Sequence, residues 1–176
     1  MMATTMMGCQ HLHFHDRIAL LDSIKSCGKE KNFRMARRIH SDIIERDLIA
    51  KDIYVATALI TMYARCGAIE KAREVFDQIP VRNVVSWNAL ISAYARNGFG
   101  HEALKKFRQM QSAGVCPDAV TYISILKACG IVGCLEIGES IEAKVRKQGL
   151  LQNDIVLGNA VVDMYCKCGS LEKARE

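Results

Sequence analysis

Along most of this chain apolar residues return at the 3.6-residue period of a helix, in short stretches separated by glycine-centred breaks. The clearest stretch runs from Asn83 to Pro117. Trp87, Leu90, Ile91 and Tyr94 stand at i, i+3, i+4 and i+7, so they share one face of a first helix. Asn97-Gly98 ends that helix. Ala103, Leu104, Phe107 and Met110 give a second helix its inward face, and Gly114 and Pro117 stop it through backbone freedom and a missing N–H. A lone hairpin of this kind leaves apolar faces uncovered, so further copies are expected.

Equivalent columns recur at fixed steps along the chain. The polar residues that open each hairpin are Asp16, Asp52, Asn83, Asp118 and Asp154, spaced 36, 31, 35 and 36 apart. Ala36, Ala72, Ala103, Gly138 and Ala174 keep the same steps and form a small-residue column, where one helix backbone must approach another closely. Gly67, Gly98, Gly133 and Gly169 mark the turn between the two helices, and the first copy departs from them with Lys31. A longer period of 102 lies on top: ALITMYARCGAIEKARE at Ala58 to Glu74 returns as AVVDMYCKCGSLEKARE at Ala160 to Glu176, and LDSIKSCG from Leu21 returns as ISILKACG from Ile123. The copies are therefore long (16–51), short (52–82), standard (83–117), long (118–153) and short again (154–176). The last breaks off inside its second helix, so the chain reads as truncated and apolar surface at that end is expected to lack cover. Residues 1–15 lack the columns and read as a flexible leader or the cut edge of a longer protein. His11, His13 and His15 alternate there without a second ligand cluster, and with no arginine before Arg17 and no serine the leader makes a poor targeting peptide.

The repeated MYxxCG and EKARE phrases, with their alternating lengths, resemble pentatricopeptide repeat (PPR) proteins of the plant PLS type, in which long, short and standard repeats alternate. The resemblance covers residues 16–176. It implies an all-α, right-handed superhelical solenoid of stacked helix-turn-helix hairpins that binds single-stranded RNA in a mitochondrion or chloroplast. Typically such proteins guide C-to-U editing or another maturation step, with a deaminase or editing-complex protein as a further partner.

Composition bears on this only in part. With 24 basic and 19 acidic residues the formal charge is +5, a modest lean toward polyanions. No apolar run approaches the roughly 18 residues of a membrane span; even Ile123 to Ile141 is broken by Lys127, Glu136 and Glu139, so no membrane partner is expected. Cys27, Cys66, Cys129 and Cys168 each sit near a helix end before a glycine and read as reduced packing residues. A related class of PPR proteins ends in a cytidine-deaminase-like domain, whose chemistry needs H-x-E beside C-x-x-C, and neither is present. His101 and Glu102 are adjacent, while Cys166 and Cys168 lie roughly 200° apart around a helix. Phosphate-binding and serine-nucleophile motifs are also missing. Catalytic residues, metal and cofactors are not expected.

A stack of hairpins turns each column into a stripe. The first-helix column is Leu21, Thr57, Asn88, Ile123 and Asn159, polar in three of five places. The resemblance implies that each of these, with the polar residue opening the next repeat, reads one RNA base. The pairs are Leu21 with Asp52, Thr57 with Asn83, Asn88 with Asp118, and Ile123 with Asp154, Asn159 lacking a partner. Thr57/Asn83 would favour adenine and Asn88/Asp118 uracil, giving a 5′-AU-3′ step, whereas the aliphatic Leu21 and Ile123 have nothing with which to discriminate. An opening Asp or Asn is equally what a helix N-cap requires. Ile18, Tyr54, Val85, Val120 and Val156 hold the position that the family uses to sandwich bases, and are otherwise ordinary helix-start packing. Lys29, Arg65, Arg96 and Lys167, interrupted by Ile131, suit a phosphate backbone or the negative pole of a helix. Trp87 and the column Tyr63, Tyr94 and Tyr165 read as core. Two rivals stand beside RNA binding: a tetratricopeptide-like protein scaffold, whose repeats hold near about 34 residues with a W-x-x-L-G-x-x-Y pattern absent here, and a non-functional truncated fragment.

Overall fold

The computed structural model describes residues 14–152 and 154–175, and among them the chain is all-α. Helix α1 (Phe14–Glu30) pairs with α2 (Phe33–Glu45), and a single turn, α3 (Leu48–Lys51), leads into α4 (Ile53–Arg65) and α5 (Ile69–Asp77). Then come α6 (Val84–Arg96) with α7 (Gly100–Ser112), α8 (Ala119–Val132) with α9 (Leu135–Lys147), and α10 (Ile155–Lys167). One-turn 3-10 segments sit at Leu150–Gln152 and Lys173–Arg175. The first helices α1, α4, α6, α8 and α10 pack each on the next, and α5 and α7 also reach the first helix of the following hairpin. The result is a solenoid whose core runs continuously along the stack.

Local chemistry explains where the helices begin. Asp52 accepts from the N–H groups of Tyr54 and Val55 at 2.9 and 3.3 Å, Asn83 from Ser86 at 3.1 Å, Asp118 from Thr121 at 2.9 Å and Asp154 from Leu157 at 3.0 Å. Each opening residue thus satisfies amides that the first helical turn leaves without partners. Asp16 differs, because α1 already starts at Phe14 and places it inside the first turn. The leader's last two residues are therefore helical, while His11 and His13 lie outside the described residues.

The ends are as regular. Gly67, Gly98, Gly133 and Gly169 have φ between +69° and +84°, and the following N–H reaches five residues back, as in Ala68 to the Tyr63 carbonyl at 2.9 Å and Phe99 to that of Tyr94 at 3.0 Å. Lys31 closes the same motif with φ +52°, Asn32 N–H bonding the Cys27 carbonyl at 3.2 Å, although it carries a Cβ.

Packing follows the columns. Ala36, Ala72 and Ala103 are fully buried, and a Cβ on Gly138 would stand 2.5 Å from Met164 Sδ. Trp87 is core, edge-on to Phe76 with ring centroids 4.8 Å apart. Tyr63, Tyr94 and Tyr165 are buried with it; the Tyr63 hydroxyl meets His40 Nδ1 at 2.8 Å, and the Tyr165 hydroxyl donates to Glu142. Burial pushes the Tyr63 phenol up to about 12 and the Cys129 thiol up to about 12. The seven cysteines among the described residues are free thiols. No helix there is long and apolar enough to cross a membrane.

Two features depart from five plain hairpins. The short α3 is one: Asp47, at φ +52°, ends α2 and turns Leu48 and Ile49 into the core. Its counterpart 102 residues on is the 3-10 turn at Leu150–Gln152, so both long copies spend their extra length on one more helical turn. The other is the last hairpin, whose second helix is reduced to the turn at Lys173–Arg175.

Candidate functional site

The first helices α1, α4 and α6, with the start of α8, form a groove of about 760 Å³. Three separate sequence columns converge in it. Leu21, Thr57 and Asn88 come from the first-helix column, Tyr54, Val85 and Val120 from the helix-start column, and Arg65 and Arg96 from the basic column.

The helix-start column does not pack. Ile18, Tyr54, Val85, Val120 and Val156 are 43–61 % exposed, a row of apolar side chains that the fold leaves in solvent. Single exposed apolar residues are common, but five at one helical position form a stripe.

Between them lie the polar pairs, and these differ in state. Asn88 and Asp118 touch: Asn88 Nδ2 donates to Asp118 Oδ1 at 2.8 Å, and Asn88 is only 8 % exposed. The same Asp118 oxygen caps α8, so capping the helix does not prevent its contact with Asn88. Thr57 Oγ1 instead donates to the Tyr54 carbonyl at 3.1 Å, while Asn83 forms a capping box with Ser86. Asp52 is occupied by Arg17, whose Nε lies 2.6 Å from Oδ2 and whose Nη2 donates to Oδ1 at 3.2 Å. The Arg17 guanidinium also sits 5.0 Å from the Tyr54 ring centroid. Beyond the groove, Ile123 is half-buried, Asp154 caps α10 and Asn159 is exposed.

The cations divide as well. Arg65 and Arg96 are exposed on the groove, whereas Lys29 is exposed outside it and Lys167 pairs with Asp163 at 2.6 Å. Lys25 and Lys31 also line the groove, Lys31 standing out in the sequence only as a departure from the turn glycines, and Arg17, on Asp52, was missed altogether. Lys25 was legible, since it follows Leu21 by one helical turn, as Thr61 follows Thr57 and Ser92 follows Asn88, and all three face the groove. Among the described residues no cluster of three or more His, Cys, Asp or Glu could hold a metal ion.

A second cavity, about 460 Å³, opens beside α10 where the 3-10 turn stands in for a second helix, with Glu139, Glu142, Tyr165 and Lys173 in its wall. It carries none of the three columns. Of these two cavities among the described residues, the larger groove combines a cationic rim, flat apolar contacts at regular spacing and hydrogen-bonding side chains between them. That combination suits an extended polyanion built of planar units with polar edges.

Comparison with known proteins gives the chain its relatives. A family model described as PPR repeat family matches residues 82–130, and one described as PPR repeat matches residues 54–84 and 159–176, together more than half of the chain. A chloroplastic pentatricopeptide repeat-containing protein of Arabidopsis thaliana is 38 % identical over 93 % of this chain and 26 % of its own length. A mitochondrial one from the same plant is 37 % identical over 91 % of this chain and 15 % of its own. The chain thus spans about a quarter or less of these relatives. Among solved structures, the pentatricopeptide repeat protein PPR10 in complex with an 18-nt psaJ RNA element superposes with a TM-score of 0.74 at 22 % identity, covering 91 % of this chain and 24 % of that one. PPR10 from maize superposes with a TM-score of 0.66.

Proposed function

The chain is built of pentatricopeptide repeats, and on that premise we propose that it binds single-stranded RNA along the α1–α4–α6 groove as part of an alternating-repeat, PLS-type array. The observation that carries the proposal is the convergence of three independent columns in one groove. Each answers to a different part of a nucleotide. Arg65 and Arg96 face the phosphates, the exposed Tyr54, Val85 and Val120 lie against base faces, and the polar pairs meet base edges. The relatives support the same reading, as does the RNA-bound solenoid on which this chain superposes.

Within that reading the pairs are not equivalent. Asn88 and Asp118 already form a joined polar edge, and Thr57 with Asn83 is the second reader. Leu21 has no hydrogen-bonding group, and its partner Asp52 is held by Arg17, so the first long repeat contributes contact rather than choice. Ile123 with Asp154 does the same in the second. The preferred sequence is therefore a 5′-AU-3′ step read by the short and standard repeats, Asn159 favouring a pyrimidine beyond it. The longer protein acts in a mitochondrion or chloroplast on C-to-U editing or another maturation step, chemistry being supplied by a deaminase or editing-complex partner.

Fluorescence anisotropy at one fixed salt concentration, with short single-stranded RNAs varied at two adjacent bases, tests the specificity. AU should bind more tightly than UA. Asp118→Asn should move the second base from uracil toward cytosine, because an amide that can donate then faces it. If AU and UA bind alike, or if Asp118→Asn weakens every RNA equally, Asp118 is a helix cap only.

A further inference from the structure

The Asn88–Asp118 pair has a third member that no column revealed. Thr121, fully buried on the first turn of α8, places its Oγ1 2.6 Å from Asn88 Oδ1 and 2.9 Å from Asp118 Oδ1. The hydroxyl has one hydrogen to give. Asp118 Oδ1 is already served by two N–H donors, the Thr121 amide at 2.9 Å and Asn88 Nδ2 at 2.8 Å, so the hydrogen belongs to the shorter bond, with Asn88 Oδ1. In turn Thr121 Oγ1 accepts from the Asp118 N–H at 3.1 Å.

The consequence falls on the Asn88 amide, which in solution can offer either a donor or an acceptor. Here its oxygen is capped from the core side by Thr121 and one of its amide hydrogens is held by Asp118. What remains of Asn88 for a ligand is the second amide hydrogen, a donor whose own amide oxygen is already taken, while Asp118 keeps its second carboxylate oxygen as an acceptor. The preceding repeat lacks this arrangement: Ser86, at the position equivalent to Thr121, turns its hydroxyl to its own Asn83 carbonyl at 2.9 Å instead of to Thr57.

We propose that Thr121 is a specificity-determining positioning residue, holding the Asn88 amide as a donor so that the pair presents one donor and one acceptor to the base. This rests on the base-reading role given above to Asn88 and Asp118. Uracil meets such an edge with a carbonyl beside its N3–H. Once the Asn88 oxygen is released it can accept from the amino group of cytosine, and the two pyrimidines become harder to tell apart.

The test compares Thr121→Val, which keeps the shape and removes the hydroxyl, with Thr121→Ser, which restores it. Short single-stranded RNAs carrying uracil or cytosine after an adenine are titrated against each chain at fixed salt. The uracil-to-cytosine affinity ratio should fall about fivefold in Thr121→Val, the factor one net hydrogen bond is worth, and recover in Thr121→Ser. Preference at the preceding base, read by Thr57 and Asn83, should not change. A purely structural role in capping α8 would lower the melting temperature of Thr121→Val without moving the ratio. An independent readout is the Asn88 side-chain amide in the nitrogen–proton NMR spectrum of the free protein, where rotation and solvent exchange should speed up in Thr121→Val and not in Thr121→Ser. An unchanged ratio or an unchanged Asn88 amide in Thr121→Val overturns the role of Thr121 and leaves base reading standing. Equal affinity of the unaltered chain for uracil and cytosine overturns base reading itself, and this inference with it.

Discussion

Replacing Lys31 with glycine should make this protein more stable and a weaker binder of polyanions at the same time. Lys31 occupies the turn position that glycine holds in the four other hairpins, at φ +52°, and its side chain is exposed. A residue with a Cβ in the left-handed region gives up ~1–2 kcal/mol relative to the right-handed one. Glycine escapes that cost but loosens the unfolded chain, returning ~0.4–1 kcal/mol. The difference leaves about 0.5–1 kcal/mol in favour of Lys31→Gly, a rise in Tm of roughly 2 °C for a chain of this size. Lys31→Ala separates backbone from charge, since it keeps the left-handed Cβ and removes the exposed, charged remainder of the side chain. Thermal and urea unfolding followed by helical circular dichroism should show Lys31→Gly above the unaltered protein and Lys31→Ala level with it. Because Lys31 lines the groove, both variants should flatten the salt dependence of RNA binding, by up to about 0.7 in log–log slope. Backbone strain would then be retained where it places a cation on the ligand's path. Equal stabilisation by both variants would show that relief of charge repulsion, and not the backbone, is at work; no stabilisation by Lys31→Gly would refute the conformational argument.

Arg65→Ala combined with Arg96→Ala should weaken all single-stranded RNAs alike and reduce the salt slope by up to about 0.7 per lost contact; an unchanged slope in a salt titration would remove both from phosphate binding. Gly100→Ala should cost about 1–3 kcal/mol, because its Cβ would stand 2.6 Å from Val132 Cγ1 and 3.0 Å from the Ala128 carbonyl oxygen where α7 meets α8. A urea midpoint equal to that of the unaltered protein would mean the two helices part freely. In alkylation followed by mass spectrometry at neutral pH, exposed Cys116 and Cys166 should react well before Cys129, which is buried and whose thiol is pushed up to about 12. Burial holds Cys129 and Tyr63 protonated in the folded state, so unfolding releases their protons first. Their contribution is complete below the ordinary thiol and phenol values and is lost as pH rises toward about 12, which an alkaline circular dichroism titration of Cys129→Ala and Tyr63→Phe against the unaltered protein measures.

The stack was legible because its determinants are periodic and local. Trp87, Leu90, Ile91 and Tyr94 are buried together, and the openers Asp52, Asn83, Asp118 and Asp154 cap helices, since one turn of sequence holds the whole cause. The apolar stripe from Ile18 to Val156 was legible as a column but not as exposed. Burial is decided by which side of each first helix the neighbouring hairpins cover: Val55, Ser86, Thr121 and Leu157, one residue after the stripe positions, are buried, while the stripe itself faces away. Arg17 could not be read at all: its partner Asp52 lies on the next hairpin, and no periodicity links them. The α3 turn escaped for another reason. Leu48 and Ile49 sit between a charged helix end and Asp52 without a helical period of their own, and their burial depends on the backbone reversal at Asp47. Thr121 stayed hidden because a capping-box threonine looks the same in sequence whether its hydroxyl serves only its own helix or also reaches across to Asn88.

If the groove reads bases as proposed, the contrast between Arg17 and Thr121 says where discrimination would reside in such a stack. Both contact the opening carboxylate beside a first-helix column residue, and they leave it in opposite states. Arg17 places a guanidinium on both oxygens of Asp52, including the one that caps α4, and covers one face of Tyr54. Thr121 works from the core side, its hydroxyl fixing Asn88 and its amide one oxygen of Asp118, which leaves the other oxygen without a protein donor among the described residues. On the proposed base-reading role, the opening carboxylate would be closed to a base beside Leu21 and open to one beside Asn88. A residue pair read from two columns alone would miss that difference, because what decides it is the neighbour that claims the remaining hydrogen bonds. For this chain the neighbour is a charged residue on α1 for Asp52 and a buried hydroxyl on α8 for Asp118, so the proposed base reading puts its strongest choice at the joint between α6 and α8.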